Sequence, residues 1–269
     1  MLFFLRLPFA SWQLGWVLAG LVALPLAGPA QTPPPSTDYL AALKPANLSR
    51  LWSAPQRVHP DKDFAKPFAM PDPIGFIGPD YQRFYLHYTS IQKDAANPYV
   101  YRVAGKTRVK TNICAFTGTI TVLKARLYKA PNSDFPPFRE GELTCRVELA
   151  EDRRQPSTGT IRGTLTTYFY LDKQGQPQYN LLGIYADLFS NNECTGTWTS
   201  YASGQAKTCN WGDFFIPNAG PLRFSDTEFQ IAPKYRAHGW QTYQQVKAGG
   251  EAELATKKAL AEENRHWWK

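Results

Sequence analysis

Residues 116–128 read FTGTITVLKARLY, and this stretch decides the class of fold. Up to Val122 the apolar side chains occupy even-numbered positions and threonines occupy the odd ones, whereas beyond Val122 the apolar side chains occupy odd-numbered positions. Alternation with a period of two is typical of a β-strand, and a shift of one residue moves every later side chain to the opposite face of the sheet. A β-bulge, or a bend where the strand passes between two sheets, resolves such a shift. The stretch therefore favours a curved barrel or sandwich over a flat sheet.

The same alternation, rich in threonine, aromatic and β-branched residues, recurs on both sides of this stretch from residue 74 onwards. The predicted strands are Arg83–Ile91, Tyr99–Val103, Lys106–Thr111, Ile113–Tyr128, Glu142–Ala150, Thr160–Leu171, Tyr179–Asp187, Cys194–Tyr201 and Thr208–Ile216. Ala104-Gly105 and Asp172–Gly175 are predicted as turns. We predict an all-β fold: an antiparallel meander that forms a barrel or sandwich and is similar in pattern to lipocalin-like and avidin-like proteins.

The N-terminus reads as a secretory signal peptide over residues 1–30. One cation, Arg6, precedes an apolar run from Leu7 to Ala27, and Gly28-Pro29-Ala30 supplies the small residues of a cleavage site. The run is long enough to span a bilayer, so an uncleaved N-terminal anchor is the alternative. No second run of spanning length follows. We predict an exported protein, periplasmic or secreted, with no membrane span after signal cleavage.

The rest of the chain divides into three parts. Residues 31–73 contain nine prolines, which exclude a regular sheet or a long helix, so we predict a Pro-rich lead that drapes over the main domain or stays mobile. Within it, Asp38 to Trp52 has room for one or two helical turns. Residues 74–245 form the predicted barrel or sandwich domain. Residues 246–269 are predicted to hold one C-terminal helix beyond the Gly249-Gly250 break.

The chain carries 30 Lys and Arg against 22 Asp and Glu, a formal net charge of +8. Such a surplus permits acidic partners, but the cations are spread along the chain, and no nucleic-acid partner is predicted. In one local cluster, Lys106, Arg108 and Lys110 alternate with other residues, so all three cations point from one face of a strand. A solvated outer face is the simpler interpretation, and an anion-binding stripe is the alternative.

Four cysteines, Cys114, Cys145, Cys194 and Cys209, follow the predicted signal peptide. In an exported protein an even number of cysteines indicates disulfides, although four cysteines allow three connectivities. Proximity in the sequence favours Cys194–Cys209 across a hairpin, which leaves Cys114–Cys145 as the second pair. No Cys-x-x-Cys spacing occurs, so a structural zinc site or thioredoxin-like redox chemistry has no support.

Several segments together carry a resemblance to known proteins. They are Phe76–Tyr101 with Tyr81-Gln82-Arg83-Phe84-Tyr85, Cys194–Tyr201, Cys209–Asp213, and Gly239-Trp240 with Tyr243. Through these segments, which extend over residues 74–243, the chain resembles exported β-rich proteins of Bacteroidota-type bacteria. The resemblance implies export and a single β-rich domain, and it brings no activity, cofactor or catalytic residue.

The sequence lacks the common catalytic motifs. It contains no G-x-S-x-G elbow, no Walker A loop, no G-x-G-x-x-G and no H-E-x-x-H motif. His59 lies beside Asp61 and Asp63, but its proline-containing segment is predicted as a solvated loop, since a metal site requires more ligands and a rigid surrounding shell. His87 alternates with other strand residues and is predicted as a structural histidine. Neither a metal ion nor a cofactor is predicted.

The most suggestive cluster of side chains is Trp198, Tyr201, Trp211 and Asp213, around the predicted hairpin. Flat aromatic rings stack on the apolar faces of sugars and other ligands, and an adjacent carboxylate accepts hydrogen bonds from hydroxyl groups. The alternative is that these rings fill the core at one end of a barrel. We hypothesise an exported ligand-binding β-barrel whose mouth beside this hairpin takes a small or extended ligand, with carbohydrate as one class.

Two other functions stay open at this stage. A carboxylate-dependent hydrolase would use acids at strand ends or in loops, among them Asp187, Glu193, Asp213 and Glu228, and would hold two carboxyl groups about 5–10 Å apart. A structural or envelope-associated interaction protein would instead expose an apolar patch. The sequence favours a binding protein over an enzyme.

Overall fold

The structure of the protein, a computed structural model, describes residues 34–64, 66–225, 228–250 and 253–269. The predicted signal peptide, residues 1–30, lies outside the described residues. The strands, in chain order, are β1 (Ser36–Asp38), β2 (Gln56–Arg57), β3 (Phe68–Ala69), β4 (Ile74–Ile77), β5 (Gln82–Lys93), β6 (Val100–Val109), β7 (Asn112–Tyr128), β8 (Arg139–Glu151), β9 (Gly159–Leu171), β10 (Pro177–Tyr179), β11 (Asn191–Ser200) and β12 (Ala206–Asp213). The α-helices are α1 (Ser49–Trp52), α2 (Gln241–Ala248) and α3 (Leu254–Glu263), and short 3-10 helices cover Ala41–Leu43, Lys62–Phe64, Gly220–Leu222 and Pro233–Tyr235.

Eight strands close into an antiparallel barrel. Hydrogen-bonded neighbours run in the order β4, β5, β6, β7, β8, β9, β11 and β12, and β12 pairs again with β4. Closure leaves no exposed sheet edge around the ring. The short strands β1 and β10 lie outside this ring and pair with β7 and β9, respectively. The predicted all-β meander is thereby confirmed as a barrel, of the strand number at which an interior is filled by side chains or holds one small ligand.

The bulge predicted in β7 is confirmed. The pairing of β7 with β8 shifts register between Val122 and Lys124, which is where the apolar pattern of the sequence changes phase. The predicted turn at Ala104-Gly105 is wrong, because β6 continues through it and Thr89 of β5 forms a bulge opposite. Gly105 is required there by close packing, since a Cβ atom would lie 2.1 Å from the His87 carbonyl oxygen and 2.5 Å from the Phe116 ring.

The core fills the barrel interior. In β8 every second residue from Gly141 to Glu151 is buried, and the intervening residues are half-buried or exposed. Leu143, Cys145 and Val147 have no measurable exposure, and the inward residues of the other barrel strands continue the same core. Alternation of this kind is what a closed sheet with one dry face demands. It also means that the parity of a residue in its strand decides whether its side chain can reach the interior.

The Pro-rich lead closes one end of the barrel. Its apolar side chains Leu43, Leu48, Leu51 and Trp52 are buried in the barrel core, although residues 34–70 contain only very short strands and helices. The Trp52 indole Nε1 donates a hydrogen bond to Thr167 Oγ1 of β9 at 2.9 Å. We call residues 34–70 the N-terminal plug and the end that it covers, where β9 reaches Leu171, the plugged end. The opposite end, where β8 reaches Glu151, is the open end.

The plug also buries a histidine that the sequence places in a solvated loop. That prediction is wrong, since His59 is 2% exposed and its ring lies among those of Phe64, Phe135 and Tyr185. The segment folds back because β2 and β3 pair as a small antiparallel ribbon on either side of it. His59 Nδ1 accepts a hydrogen bond from the Asp61 amide, which indicates a structural role for the ring.

The helix predicted beyond the Gly249-Gly250 break is confirmed as α3, and a second helix that the sequence did not predict, α2, precedes the break. The chain breaks at Gly249-Gly250, and α3 then packs against α2 and against the outer face of the barrel. Arg83 of β5 donates to the Glu263 carboxylate from both terminal nitrogens, at 3.0 and 2.6 Å. Arg108 is 8% exposed because this segment covers it. The face of β6 that carries Lys106 and Arg108 is therefore only partly solvated, in contrast to the predicted solvated face. Among the described helices, none has the length and apolarity needed to cross a membrane.

The final residues extend the same cover. Trp267 is buried, and the ring of Trp268 stacks on His87 with 3.6 Å between ring centroids. His87 Nδ1 lies 2.7 Å from an oxygen of Asp72, so one face of the imidazole ring and one of its nitrogens are occupied. The arrangement agrees with the prediction of a structural role for His87.

Candidate binding site

The structure does not bring the four predicted binding residues into one site. In the β11–β12 hairpin, Trp198 pairs with Lys207 near the turn, Cys194 pairs with Trp211, and Asn191 pairs with Asp213 at the far end. Trp198 and the partner of Asp213 are seven positions apart on β11, which at the rise of a strand is about 20 Å. Trp198 therefore belongs to the open end of the barrel and Asp213 to the plugged end.

The other two predicted binding residues, Trp211 and Tyr201, have structural roles that follow from their positions. Trp211 is 1% exposed and packs against Phe84 in the core, with ring centroids 5.9 Å apart. Tyr201 follows β11 at the hairpin turn, where the guanidinium of Arg153 lies 3.7 Å from the centre of its ring. Trp211 thus fills the core, as in the alternative interpretation of the aromatic cluster, and Tyr201 packs on the outside.

Asp213 is a buried carboxyl group inside the plugged end. Its Oδ2 accepts hydrogen bonds from Tyr179 Oη at 2.9 Å and from Asn192 Nδ2 at 2.8 Å. Burial raises the pKa of Asp213 to about 6, because desolvation of the charged form outweighs the two hydrogen bonds and the nearby Arg57. The same asparagine donates to the Leu51 carbonyl oxygen, so this network ties β11 and β12 to the plug.

The predicted disulfides are absent, since all four cysteines are free and buried. Cys145 pairs with Val122 of β7, eight positions from Cys114, so the second predicted pair would have to bridge about 25 Å along the strand. Cys194 lies opposite Trp211, and Cys209 lies opposite Ile77, so these two are not cross-strand partners either. Burial raises the pKa of Cys114 to about 11, and it raises the pKa of the other three thiols as well.

The open end of the barrel contains a cavity of about 510 Å³. We call it the mouth cavity. The turn after β4, the ends of β6 and β8, and the β11–β12 hairpin form its walls. Its lining residues include Ile77, Pro79, Asp80, Gln82, Phe84, Thr107, Val109, Lys110, Asn112, Cys114, Glu151, Trp198, Lys207 and His238. The volume lies within the range of about 300–1,000 Å³ that is typical of small-molecule sites.

Glu151 is held at the inner wall of this cavity by three hydrogen bonds. It is 6% exposed, and its Oε1 accepts from Thr107 Oγ1 at 2.5 Å. Its Oε2 accepts from the Gly159 amide and from Trp198 Nε1, both at 2.8 Å. The bonds come from β6, from the start of β9 and from β11, so three strands fix one carboxylate. A single rotamer of Glu151 and a single orientation of the Trp198 indole follow from this arrangement.

The sequence contained a signal for Glu151. The residue continues the inward series of β8, in which Leu149 and Val147 precede it at intervals of two. The predicted strand ended one residue too early, at Ala150, so the acid at the next inward position was not considered. Of the four predicted binding residues, the structure places only Trp198 in the lining of the mouth cavity, and the predicted disulfide residue Cys114 lies in the same lining.

The rim of the mouth cavity carries charges of both signs. Lys110 and Lys207 contribute two positive charges to the lining, and Asp80 and Glu151 contribute two negative charges. The ammonium of Lys207 lies 5.7 Å from the centre of the Trp198 ring. His238 donates from Nδ1 to the Asp80 carbonyl oxygen, which attaches the segment before α2 to the rim. The two lysines and the two acids of the lining balance in formal charge, so the cavity has no strong preference for a charged ligand.

Comparison of the chain with protein-family models, with curated proteins and with solved structures finds no match. Within the described part of the chain, no group of three or more His, Cys, Asp or Glu residues is arranged to hold a metal ion.

Proposed function

We propose that the barrel binds a small, uncharged, polyhydroxylated molecule in the mouth cavity, with carbohydrates as the first class to test. The observation that carries the proposal is the pair formed by the buried Glu151 carboxylate and the half-buried Trp198 indole, joined by a 2.8 Å hydrogen bond in the wall of an open cavity. Binding sites of this size are mostly apolar with a few oriented polar groups.

The hydrogen-bonding capacity of Glu151 leaves room for a ligand. Its Oε2 accepts two protein donors, whereas Oε1 accepts one, from Thr107. A carboxylate oxygen accepts about two hydrogen bonds, so Oε1 can take another from a ligand hydroxyl group. The Trp198 ring, with Phe84 and Ile77 in the same lining, supplies the apolar surface on which the C–H face of a sugar stacks.

The fixed geometry favours affinity. A ligand that binds to preorganised groups avoids the cost of about 0.5–1.5 kcal/mol for each rotamer-rich side chain that would otherwise become ordered. Before a ligand arrives, Glu151 is fixed by protein donors and the Trp198 indole is fixed by the hydrogen bond that it donates to Glu151. The balanced lysines and acids of the rim favour an uncharged ligand over a strong anion or cation.

The test is a thermal-shift screen of the oxidant-free protein against mono- and oligosaccharides, polyols, lipids and haem. A ligand that binds only the folded state stabilises it by about 2.7 kcal/mol at one hundred times its dissociation constant, so a genuine hit gives a saturable rise in Tm. We expect hits among the carbohydrates. Trp198→Ala should weaken binding of the hit at least ~10-fold, the effect of losing about 1.4 kcal/mol of contact.

The matched control is Tyr201→Ala. Tyr201 is an aromatic residue of the same hairpin, but it lies outside the lining of the mouth cavity. It should leave the affinity unchanged. A panel without any saturable shift, or equal affinity in Trp198→Ala and the wild type, would contradict the proposal.

A carboxylate-dependent hydrolase is the second candidate, because Asp80 and Glu151 line the same cavity. Glycoside hydrolases commonly use two carboxyl groups on opposite sides of the scissile bond. The two functions separate in Glu151→Gln. A binding protein shows no turnover of the hit with or without this change, whereas a hydrolase loses turnover in the variant while it keeps measurable binding.

Export completes the proposal. The pattern from Arg6 to Ala30 supports it. Intact-mass analysis and N-terminal sequencing of the protein recovered from cells test it, with Gln31 expected as the first residue. A mature chain that keeps residues 1–30 would support the N-terminal anchor instead.

A further inference from the structure

The plugged end of the barrel contains a second cavity, of about 230 Å³, between the N-terminal plug and β10. Its lining includes Arg50 and Arg57 of the plug and Tyr179 of β10. Amide side chains from Asn47, Gln56 and Gln178 complete the polar wall, and no carboxylate belongs to the lining. The cavity is therefore cationic, unlike the charge-balanced mouth.

Arg57 is a half-buried cation that contacts an aromatic ring and one carbonyl oxygen. The centre of its guanidinium lies 3.7 Å from the centre of the Tyr179 ring, and its Nη2 donates to the Leu51 carbonyl oxygen at 3.1 Å. Its Nε is buried and has no hydrogen-bond partner. Among the described residues, no carboxylate forms an ion pair with it. Burial lowers the pKa of Arg57, and Tyr179 and Asp213 offset this only in part.

A buried charge is expensive unless an opposite charge and hydrogen bonds compensate it. Arg57 retains its ring contact and one hydrogen bond, and its side chain lines a cavity that the exposed Arg50 also lines. We propose that this cavity binds a phosphate group, with Arg57 as the inner ligand and Arg50 as the outer one. The planar fork of an arginine matches two oxygens of a phosphate at once, and the two positive charges match its two negative charges.

The size of the cavity indicates a phosphate ester. The volume equals that of about eight water molecules in the liquid, which exceeds the space that the five heavy atoms of a phosphate group require. The amide side chains of Gln56 and Gln178 lie in the remaining wall, where they can bind hydroxyl groups of a small substituent. Free phosphate shares the recognition chemistry, and the experiment below separates the two sources.

The site is independent of the mouth cavity. The two cavities share no lining residue. Along β9, Gly159 beside Glu151 and Tyr170 beside Arg57 are eleven positions apart, or about 35 Å. Occupation of one site does not require occupation of the other.

The experiment is isothermal titration calorimetry of the full chain with inorganic phosphate and with glycerol 3-phosphate, at an ionic strength held constant with sodium chloride. We expect both probes to bind at one site, with glycerol 3-phosphate binding more tightly if an ester is the natural ligand and equally if free phosphate is. Arg57→Gln should abolish binding. Arg50→Gln should weaken it at least ~10-fold, the lower end of what a charged hydrogen bond contributes.

Arg139→Gln is the matched control, because Arg139 is an exposed cation at the same end of the barrel but outside the cavity lining. It should leave both affinities unchanged. Arg50 is exposed, so Arg50→Gln tests the proposal even if Arg57→Gln does not fold. Failure of both probes to bind would overturn the inference. So would equal affinities in Arg50→Gln and the wild type, or a loss in Arg139→Gln as large as that in Arg50→Gln.

Discussion

Replacing Glu151 by alanine removes the acceptor of three hydrogen bonds at the open end of the barrel. The Gly159 amide that donates to Glu151 is buried, whereas Thr107 Oγ1 can turn towards the Cys114 carbonyl oxygen, 3.5 Å away, and Trp198 is half-buried and can reach water. A buried donor left without a partner costs about 1–3 kcal/mol, and each lost hydrogen bond to a charged group costs about 1.5–3 kcal/mol. The variant also removes the cost of desolvating the carboxylate, which offsets part of this loss. We expect Glu151→Ala to lower the free energy of unfolding by about 2–5 kcal/mol.

Glutamine at the same position should be far milder. Its amide oxygen can take the place of Oε2 and accept from both Gly159 and Trp198. Its NH₂ group then faces Thr107, whose hydroxyl can change from donor to acceptor. All three contacts survive without the charge, so we expect Glu151→Gln to cost about 1 kcal/mol or less.

Urea denaturation followed by tryptophan fluorescence and circular dichroism measures both values. The control is Glu148→Gln, which removes a carboxylate that makes ion pairs with Arg146 and Arg162 on the exposed face of the same strand. Surface ion pairs contribute about 0–1 kcal/mol, so this variant should remain close to the wild type. A loss below about 1 kcal/mol in Glu151→Ala, or equal losses in Glu151→Ala and Glu151→Gln, would refute the reasoning.

Three further predictions concern other parts of the fold. The pKa of Asp213 is raised to about 6, above its value of about 3.9 in an unfolded chain, so the folded state binds the proton more tightly and the free energy of unfolding should fall by about 2 kcal/mol as the pH rises from 4 to 7. In denaturation curves measured between pH 4 and pH 7, this contribution to the decrease in the free energy of unfolding should be absent in Asp213→Asn. It should be unchanged in the control Asp187→Asn, which alters an exposed carboxylate. Thiol titration without reductant should detect four thiols in the denatured protein and no promptly reacting thiol in the native protein, because all four are buried. Two thiols or fewer in the denatured protein would contradict the structure. Glu263→Ala leaves the buried Arg83 without its ion-pair partner and should lower the free energy of unfolding, measured by denaturation, by about 3–5 kcal/mol. Replacing the neighbouring, exposed Glu262 by alanine should lower it by less than about 1 kcal/mol.

The fold could be predicted from sequence wherever one face of a strand is dry. The phase change after Val122 became the observed bulge, because parity is fixed by burial on both sides of it. The predicted strand over Tyr179–Asp187 is wrong: only Pro177–Tyr179 pairs, and Leu181 and Leu182 are both buried, which alternation in a strand does not allow. A hydrogen bond from the Leu182 amide to Asn180 Oδ1 turns the chain there instead.

The site was less predictable, because it depends on which strands become neighbours. Trp198 was identified by its residue type and lines the mouth cavity, but its partner Glu151 lies 47 residues earlier in the chain, and Thr107, which donates to Glu151, lies 91 residues earlier. Trp211 and Asp213 lie near Trp198 in sequence, yet the hairpin places one in the core and the other at the opposite end. The cysteines failed as a disulfide signal for the same reason, since strand register, rather than separation in sequence, sets their distances.

The most direct test of ligand binding at the mouth is the indole Nε1–H resonance of Trp198 in ¹⁵N-labelled protein. The chain has eight tryptophans, so this resonance is assigned by its loss in Trp198→Phe. Titration with the best carbohydrate from the screen should move it saturably, because its hydrogen bond to Glu151 lies in the wall of the site. The Trp52 indole, bonded to Thr167 at the plugged end, should not move. A Trp198 resonance that stays fixed at saturating ligand would contradict the account.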